Sequence, residues 1–166
     1  MSSLAIYPGT FDPITYGHID LIERTRHIFP EVIVAVAQTS RKKLMFDAAE
    51  RFEMVQQVTQ SMKGVRVEMF KGLVVEFAQK NKTNVLIRGL RMISDFEYEF
   101  QMALTNRRFA KTVETVFLMP SEEHSFISST LLKETAALGA DISTFVPKFV
   151  EQKIKAKLKL CRLKRR

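Results

Sequence analysis

Residues 7–18 combine residue types that suit the binding of a phosphate group. They read Tyr-Pro-Gly-Thr-Phe-Asp-Pro-Ile-Thr-Tyr-Gly-His, after an apolar run and at the start of a predicted helix. Gly9 and Gly17 allow the backbone to pass close to a ligand. His18 falls in the first helical turn, where amide N–H groups and the helix dipole favour an anion. A Gly-His pair alone more often caps a helix, so the interpretation depends on the whole segment.

Cations follow the second and fourth apolar runs of the chain. Arg41, Lys42 and Lys43 are consecutive, and Arg88 follows the run that starts at Val85. Three neighbouring cations suit an anionic ligand, although a solvated basic loop is the commoner reason for such a run. The planar fork of Arg88 matches phosphate oxygens better than an ammonium group does. Both places therefore predict phosphate binding.

Two further segments have a functional and a structural interpretation. Residues 128–130, Ser-Ser-Thr, start a predicted helix. Hydroxyl groups at this position cap backbone N–H groups, and they also suit a bound phosphate. Glu99 lies on the predicted helix that follows Arg91, where it either contacts a ligand or pairs with Arg107 or Lys111 on the helix surface. For each segment the sequence leaves both interpretations open, ligand binding and a purely structural role.

Apolar runs rich in Val, Ile and aromatic residues alternate with longer helix-like segments. The runs predicted as strands are Leu4–Tyr7, Val32–Ala37, Val65–Phe70, Val85–Ile87 and Thr115–Leu118. The segments predicted as helices are Gly17–Phe29, Ala48–Met62, Leu73–Lys82, Asp95–Ala110 and Ser129–Leu138. Strands this continuously apolar are buried on both faces, and short links to helices favour right-handed parallel crossovers. The predicted fold is α/β: a Rossmann-like, doubly wound, five-stranded parallel sheet with helices on both faces, in a single domain.

Local signals support this arrangement of elements. Asp47 with Glu50, and Ser94 with Glu97, have the spacing of helix capping boxes. In sheets of this kind ligands bind beyond the carboxyl ends of the strands, where the strand order reverses. The residues expected to bind phosphate lie in the loops that follow the predicted strands. The fold and the residue types therefore predict a ligand site at the same edge of the sheet.

The positive charge of the chain is concentrated at its C-terminal end. The net charge is +8, and residues 148–166 carry nine Lys or Arg with Glu151 as their one acid. Residues 1–147 balance to zero, so the basic character belongs to the end of the chain rather than to a binding face. We therefore divide the chain into a domain over residues 1–147 and a basic C-terminal helix or tail over residues 148–166.

The basic end has an amphipathic pattern. Val150, Ile154, Leu158 and Cys161 fall along one side of a helix, between lysines. Such helices bind anionic surfaces of nucleic acids or membranes. The alternative is a helix that docks on the domain or on a neighbouring subunit, and we favour this alternative because charge runs are usually solvated.

Composition excludes several classes of protein. Apolar residues make up 46% and charged residues 27% of the chain, an ordinary globular balance, and the longest apolar runs are too short to span a bilayer. The N-terminus lacks the pattern of a signal peptide. The single cysteine, Cys161, forms neither an internal disulfide nor a zinc site. We expect a cytoplasmic protein for which nucleic acid is not the main partner.

The segment at residues 7–18 resembles the Thr-x-Gly-His signature of a nucleotidyltransferase superfamily that includes class I aminoacyl-tRNA synthetases. The longer string resembles the bacterial phosphopantetheine adenylyltransferase family, and the resemblance extends over residues 4–147. It implies transfer of the adenylyl group of ATP to 4'-phosphopantetheine, which gives dephospho-coenzyme A and pyrophosphate in coenzyme A biosynthesis. It further implies Mg²⁺ bound with ATP, a homohexamer and feedback inhibition by coenzyme A.

The resemblance also implies roles for individual residues. Catalysis would involve His18, Lys42 and Arg91, together with Arg88. The acceptor site would contain Thr10, Lys42, Val74 and Arg88. The ATP site would contain Thr10, Phe11, His18, Gly89, Leu90, Arg91, Glu99, His124, Ser125, Phe126, Ile127, Ser128, Ser129 and Thr130. The chain departs from many members at His124, where they carry tryptophan, and at Val74, where they carry a larger apolar residue. Lys133 stands where some relatives carry arginine and would add positive charge to the site.

The expected mechanism needs no nucleophile from the protein. A phosphate oxygen of the acceptor is already ionised at neutral pH and attacks the α-phosphorus of ATP, so catalysis would depend on positioning and on stabilising charge. A related nucleotidyltransferase that uses another phosphate acceptor, or CTP, is the main alternative. The Thr-x-Gly-His and Ser-Ser-Thr segments do not separate the two, whereas the segments around Lys42 and Arg88 favour phosphopantetheine.

Overall fold

The computed structural model describes residues 3–39, 44–125 and 128–163 of the protein. Its five strands are β1 (Leu4–Gly9), β2 (Glu31–Ala37), β3 (Val65–Phe70), β4 (Val85–Gly89) and β5 (Glu114–Leu118). They form one sheet in the order β3-β2-β1-β4-β5, and every neighbouring pair is parallel. The predicted α/β fold with a five-stranded parallel sheet is confirmed.

Helices cover both faces of this sheet. They are α1 (Tyr16–Ile28), α2 (Ala48–Thr59), α3 (Val74–Lys80), α4 (Ile93–Phe109), α5 (Glu122–Ser125), α6 (Ser129–Ala137) and α7 (Lys148–Leu163). The sequence analysis predicted all of them except the short α5. Strand β1 continues two residues further than predicted, to Gly9. The turn that follows it, which is expected to bind phosphate, therefore begins at the edge of the sheet.

One predicted capping box is confirmed and the other is wrong. The Asp47 side chain accepts from the Glu50 N–H at 2.9 Å, and the Glu50 carboxylate accepts from the Asp47 N–H at the same distance. Helix α4 begins at Ile93 instead, with Met92 at the cap position, so Ser94 lies inside the first turn. A serine within the turn has no role as the cap, because a cap residue needs an extended backbone.

The strand order reverses at β1. Strands β2 and β3 lie on one side of β1, while β4 and β5 lie on the other. The loops that leave β1 and β4 therefore diverge at their carboxyl ends and leave a crevice there, which is where open parallel sheets bind ligands.

The core has two layers because successive side chains of a strand point to opposite faces. In β1, Ala5 and Tyr7 belong to the larger buried cluster, and Leu4 and Ile6 belong to the smaller one. The central strands thus bury both faces, as the continuous apolar runs predicted.

Helix α7 completes the larger cluster. Val150 and Ile154 are fully buried in it, and Leu158 packs against it. The side chain of Cys161, predicted on the same side, lies outside the described part of the structure. The apolar side of α7 therefore faces the domain and not an external surface, in agreement with docking and against insertion of this side into a membrane. Within residues 3–39, 44–125 and 128–163, no helix combines the length and the apolar character needed to cross a bilayer.

We expect Ile154→Ala to lower the free energy of unfolding by roughly 2–5 kcal/mol, because it removes buried methyl groups and leaves a cavity. The control is Leu160→Ala on the same helix, where the side chain is 56% exposed. This control should change the free energy by no more than about 0.5 kcal/mol. Urea unfolding measures both variants, and equal effects would show that α7 does not dock as described.

Candidate functional site

The turn between β1 and α1 is shaped by an aromatic side chain. Phe11 has a positive φ of 51° and is only 2% exposed. Its ring contacts Tyr7 and His18 edge to face, with centroid distances of 5.5 and 5.2 Å. The resemblance implies Phe11 in the ATP site, and the structure shows that its ring is enclosed by the protein.

The two glycines of this segment make room for neighbouring parts of the protein. A Cβ at Gly9 would lie 2.7 Å from the Phe11 ring. A Cβ at Gly17 would lie 3.0 Å from the carbonyl oxygen of His124, on α5. The close approach expected at these positions therefore occurs between parts of the chain, and close approach to a ligand stays a prediction.

His18 is held in one tautomer by the start of α1. Its Nδ1 accepts from the Thr15 backbone N–H at 3.1 Å, and the Thr15 hydroxyl lies 3.0 Å from the same nitrogen. Because Nδ1 is an acceptor, the proton of the neutral ring is assigned to Nε2. Burial lowers the pKa of His18 to about 4, and the charges of Arg91 and Arg88 add to this effect. At neutral pH His18 is therefore an uncharged N–H donor.

Arg88 is fixed by two partners. Its Nε and Nη2 donate to the two carboxylate oxygens of Glu99 at 2.7 and 2.5 Å, and its Nη1 donates to the Pro8 carbonyl at 2.9 Å. Burial lowers the pKa of Arg88, but the hydrogen bonds and charge of Glu99 more than offset this and hold the pKa above its usual value. The guanidinium is thus a permanent cation in a set orientation.

Arg88 keeps donors for a ligand. A guanidinium has five N–H groups, and the bonds above use three of them. One N–H on Nη1 and one on Nη2 have no partner within the described ranges. Since the side chain is 28% exposed, a phosphate can reach these donors from the crevice.

Glu99 has a different partner from the one considered in the sequence analysis. The surface-pair alternative joined Glu99 to Arg107 or Lys111, but Arg107 pairs with Glu114. Glu99 is buried and faces Arg88 across the crevice end of β4. Both carboxylate oxygens of Glu99 accept from Arg88, so the principal partner of Glu99 is this guanidinium.

Asp12 joins the turn to two other elements. It is 4% exposed, accepts from the Met45 and Phe46 backbone N–H groups at 3.0 and 2.9 Å, and forms an ion pair with Lys133 of α6. The sequence analysis considered Lys133 as added positive charge in the site. Its charge is instead paired with Asp12, so Lys133 connects α6 to the turn.

Arg51 is a residue that the sequence analysis missed. It is fully buried and donates to the carbonyls of Thr10, Ala37 and Phe46 at 2.6, 2.8 and 3.2 Å. Burial lowers the pKa of Arg51, and the charges of Asp12 and Asp47 act in the opposite direction. Its sequence signal is weak: Arg51 lies four residues before Val55, on the buried side of α2.

Helix α5 and the start of α6 contact the β1–α1 segment beside the crevice. The His124 ring stacks on Tyr16 at 5.9 Å, and Asp20 accepts from the Ser121 N–H at 2.8 Å. The Ser128 hydroxyl caps α6 by accepting from the Leu131 N–H at 3.0 Å, while the Ser129 hydroxyl donates to the Pro13 carbonyl. The capping interpretation of Ser128 is confirmed, and the backbone N–H groups at the start of α6 are the groups that remain suited to an anion.

The remaining predicted site residues divide into three groups. Gly89 ends β4, and Leu90 and Arg91 follow it. A Cβ at Gly89 would meet Leu21, the Leu90 N–H donates to the Leu118 carbonyl, and Arg91 pairs with Asp95 at 3.1 Å. Val74 starts α3 and packs against the smaller core cluster, the Ser125 hydroxyl donates to the Glu122 carbonyl, and Thr130 is exposed in the first turn of α6. Lys42, Phe126 and Ile127 lie outside the described residues.

The structure thus brings Thr10, His18, Arg88 and Arg91 to the carboxyl ends of β1 and β4. An uncharged imidazole donor beside an oriented guanidinium suits the oxygens of a phosphate group, and the fold is that of nucleotide-binding α/β proteins. Among the described residues, no three His, Cys, Asp or Glu side chains are grouped so as to hold a metal ion.

Comparison with known proteins gives the class a name. The chain matches the cytidylyltransferase-like family over residues 6–135 and belongs to this family of nucleotidyltransferases. The matched region includes the β1–α1 turn, Arg88 and the start of α6, but ends before α7.

Two solved structures share the fold. One is described as a nicotinate-nucleotide adenylyltransferase from Vibrio parahaemolyticus; it is 19% identical, has a TM-score of 0.70, and the alignment covers 95% of each chain. The other is a lipopolysaccharide core biosynthesis protein from Thermoplasma volcanium, 20% identical with a TM-score of 0.54, covering 72% of this chain and 98% of that one. At these identities the likeness is one of fold.

We expect the His18 ring to remain neutral down to a pH near 4, because burial and the charges of Arg91 and Arg88 disfavour its protonated form. Nitrogen-detected NMR of the labelled ring measures the midpoint directly. A midpoint near the ordinary value of 6.5 would show that the ring is neither desolvated nor close to the two arginines.

The same pKa should appear in the pH dependence of stability. Between pH 6.5 and about 4 the unfolded chain binds a proton at His18 that the native protein does not, so the native state loses stability as the pH falls through this range. His18→Gln removes this contribution while keeping a residue that completes the capping box. Between pH 6.5 and about 4, the free energy of unfolding of the wild type should therefore fall by up to about 3 kcal/mol more than that of the variant.

Proposed function

We propose that the protein transfers the adenylyl group of ATP to the phosphate of 4'-phosphopantetheine and releases pyrophosphate. The observation that carries the proposal is that two side chains in one crevice can donate hydrogen bonds to phosphate. Arg88 is aligned by Glu99 and has two N–H groups without a partner among the described residues, and the neutral His18 lies beside it. Adenylyl transfer to a phosphate requires that two phosphate groups be held side by side. The choice of phosphopantetheine rests on the resemblance of residues 7–18 and 88–99 to the bacterial phosphopantetheine adenylyltransferase family.

In the proposed reaction the acceptor phosphate is the nucleophile. One of its oxygens forms a bond to the α-phosphorus of ATP, and the bond from that phosphorus to the α,β-bridging oxygen breaks. Pyrophosphate leaves with the electron pair. No protein base is needed, because the second ionisation of a phosphate monoester has a pKa near 6.

The residues of the crevice have separate roles in this proposal. Arg88 binds the acceptor phosphate through its two remaining N–H groups, and Lys42 and Thr10 share that task. His18 donates through Nε2 to a non-bridging oxygen of the α-phosphate, where negative charge increases in the transition state. Arg91 contributes charge to the ATP phosphates. The start of α6 offers backbone N–H groups to the same phosphates.

Glu99 acts through Arg88 in the proposal rather than on ATP, since both of its carboxylate oxygens are engaged. The remaining ATP contacts implied by the resemblance stay part of the proposal. They are Phe11, Gly89, Leu90, His124, Ser125, Phe126, Ile127, Ser128, Ser129 and Thr130. Val74 is kept as a contact of the pantetheine arm.

Magnesium fits this site as a companion of ATP. The carboxylates of Asp12 and Glu99 at the crevice already bind Lys133 and Arg88. A Mg²⁺ ion would therefore be held by the ATP phosphates and water, as is common for this cation, and it would neutralise charge on the pyrophosphate group.

A homohexamer and feedback inhibition by coenzyme A belong to the same proposal, on the strength of the resemblance. One structural feature supports assembly of copies: Ile93, Phe96, Phe100 and Leu104 are exposed along α4, and the Phe96 and Phe100 rings stack. Exposed apolar surface of this kind marks interfaces between proteins.

The decisive assay follows pyrophosphate release with either ATP or CTP and a panel of acceptors. We expect release with ATP, Mg²⁺ and phosphopantetheine, and mass spectrometry should identify dephospho-coenzyme A. His18→Ala should reduce turnover on the order of 10²–10³-fold, which places the activity in this crevice.

The panel also tests the alternatives. Nicotinate mononucleotide is included because of the description of the Vibrio protein, and CTP because of the family description. Faster reaction with either of these substrates would replace the proposed one.

The coupling of Arg88 and Glu99 can be measured as a double-mutant cycle. Arg88→Ala and Glu99→Ala should each raise the KM for phosphopantetheine about 10- to 100-fold, because each removes or misaligns a charged hydrogen-bond donor. The KM of the double variant for phosphopantetheine should be hardly higher than that of Arg88→Ala, since Glu99 acts through Arg88. Additive effects, or an effect of Glu99→Ala on the KM for ATP alone, would assign Glu99 directly to ATP.

A further inference from the structure

We infer that Lys157, on the C-terminal helix α7, is a positioning residue for residues 44–47, here called the anchor. The anchor directly follows Arg41, Lys42 and Lys43 in the chain and is bound to the β1–α1 turn through Asp12. The inference rests on the proposed function where it concerns the acceptor, and on contacts of the described residues where it concerns the anchor.

The anchor is fixed from two sides by contacts described above. Its Met45 and Phe46 N–H groups donate to Asp12, which ties the anchor to the β1–α1 turn that holds Thr10 and His18. Its Phe46 carbonyl accepts from Arg51 at 3.2 Å. A displacement of the anchor therefore acts on both neighbouring parts of the crevice.

Lys157 reaches this anchor from a third side. Its Nζ lies 5.6 Å from the centroid of the Phe46 ring, within the range of a cation–π interaction. The same Nζ lies 2.7 Å from Glu50 Oε1. The other Glu50 oxygen, Oε2, accepts from the Asp47 N–H at 2.9 Å, so Lys157 holds the carboxylate that fixes the end of the anchor.

The rest of α7 makes this contact firm. Val150, Ile154 and Phe46 all belong to the larger buried cluster, so the helix and the anchor share one core. Lys157 is one turn beyond Ile154 and is only about a third exposed. The helix lies beyond the matched family region, which ends at residue 135. A segment outside that region thus contributes to the site.

Two neighbouring lysines provide matched controls. Lys153 also joins α7 to α2, through Glu53 at 3.6 Å, but no contact of Lys153 with the anchor occurs in the described part of the structure. Lys155 pairs with Glu151 within α7. Removal of Lys153 or Lys155 changes the same charge on the same helix and leaves the contacts of Phe46 and Glu50 in place.

The experiment uses the full chain with Lys157→Met, Lys157→Arg, Lys153→Met and Lys155→Met. Lys157→Met should raise the KM for phosphopantetheine about fivefold and leave kcat and the KM for ATP within about twofold. Hydrogen exchange at the Met45 and Phe46 amides should accelerate by a similar factor. Lys157→Arg keeps the charge and the ring contact and should restore both values, and the two control variants should behave as the wild type.

Hydrogen exchange distinguishes a failure of this inference from a failure of the proposed function. If the Met45 and Phe46 amides exchange at the same rate in Lys157→Met and Lys153→Met, the positioning role is overturned, whichever substrates the enzyme uses. If exchange accelerates as expected but the wild type makes no dephospho-coenzyme A, the proposed acceptor is wrong and the positioning role stands. Equal thermal stability of the Lys157 and Lys153 variants excludes general unfolding as the cause.

Discussion

Arg51 is fully buried, and the backbone carbonyls that it binds come from separate parts of the chain. Thr10 follows β1, Ala37 ends β2, and Phe46 precedes α2. Carbonyls at the ends of strands lose their partners in the sheet, and a buried carbonyl without a donor costs free energy. One guanidinium satisfies these carbonyls together and so sets the spacing of the two loops. One wall of the crevice depends on this contact, because the loop that leaves β1 begins at Thr10.

Two ion pairs with buried carboxylates complete the frame around the crevice. Asp12 with Lys133 joins the first turn to α6, and Glu99 with Arg88 joins α4 to the end of β4. Taking charges out of water is costly unless each one has a partner and further hydrogen bonds. Asp12 and Arg88 meet this condition through backbone groups. The pairs set geometry more than they add stability, and two N–H groups of Arg88 have no partner among the described residues.

His18 shows how local structure and charge act together. The capping box at Thr15 selects its tautomer, and burial with two nearby arginines keeps it uncharged. A neutral donor stabilises charge that develops during a reaction without a change in its own protonation. The crevice therefore combines a fixed positive charge at Arg88 with a neutral donor at His18, an arrangement suited to nucleotidyl transfer, the chemistry of the family to which the chain belongs.

The sequence by itself determined the sheet, the positions of most helices and the edge of the sheet where the residues expected to bind phosphate lie, because apolar periodicity and turn residues act over short distances. It placed His18 in the first turn of α1 and Arg88 at the end of β4, since a helix start and the end of an apolar run are visible in the chain. It could not show that Glu99 faces Arg88, that Lys133 is paired with Asp12, or that Gly9 makes room for Phe11. Nor could it show that Arg51 is buried, since most arginines on helices are solvated. These outcomes were decided by the tertiary structure alone, because the partner of a charge or a ring is set by packing between segments that are distant in sequence.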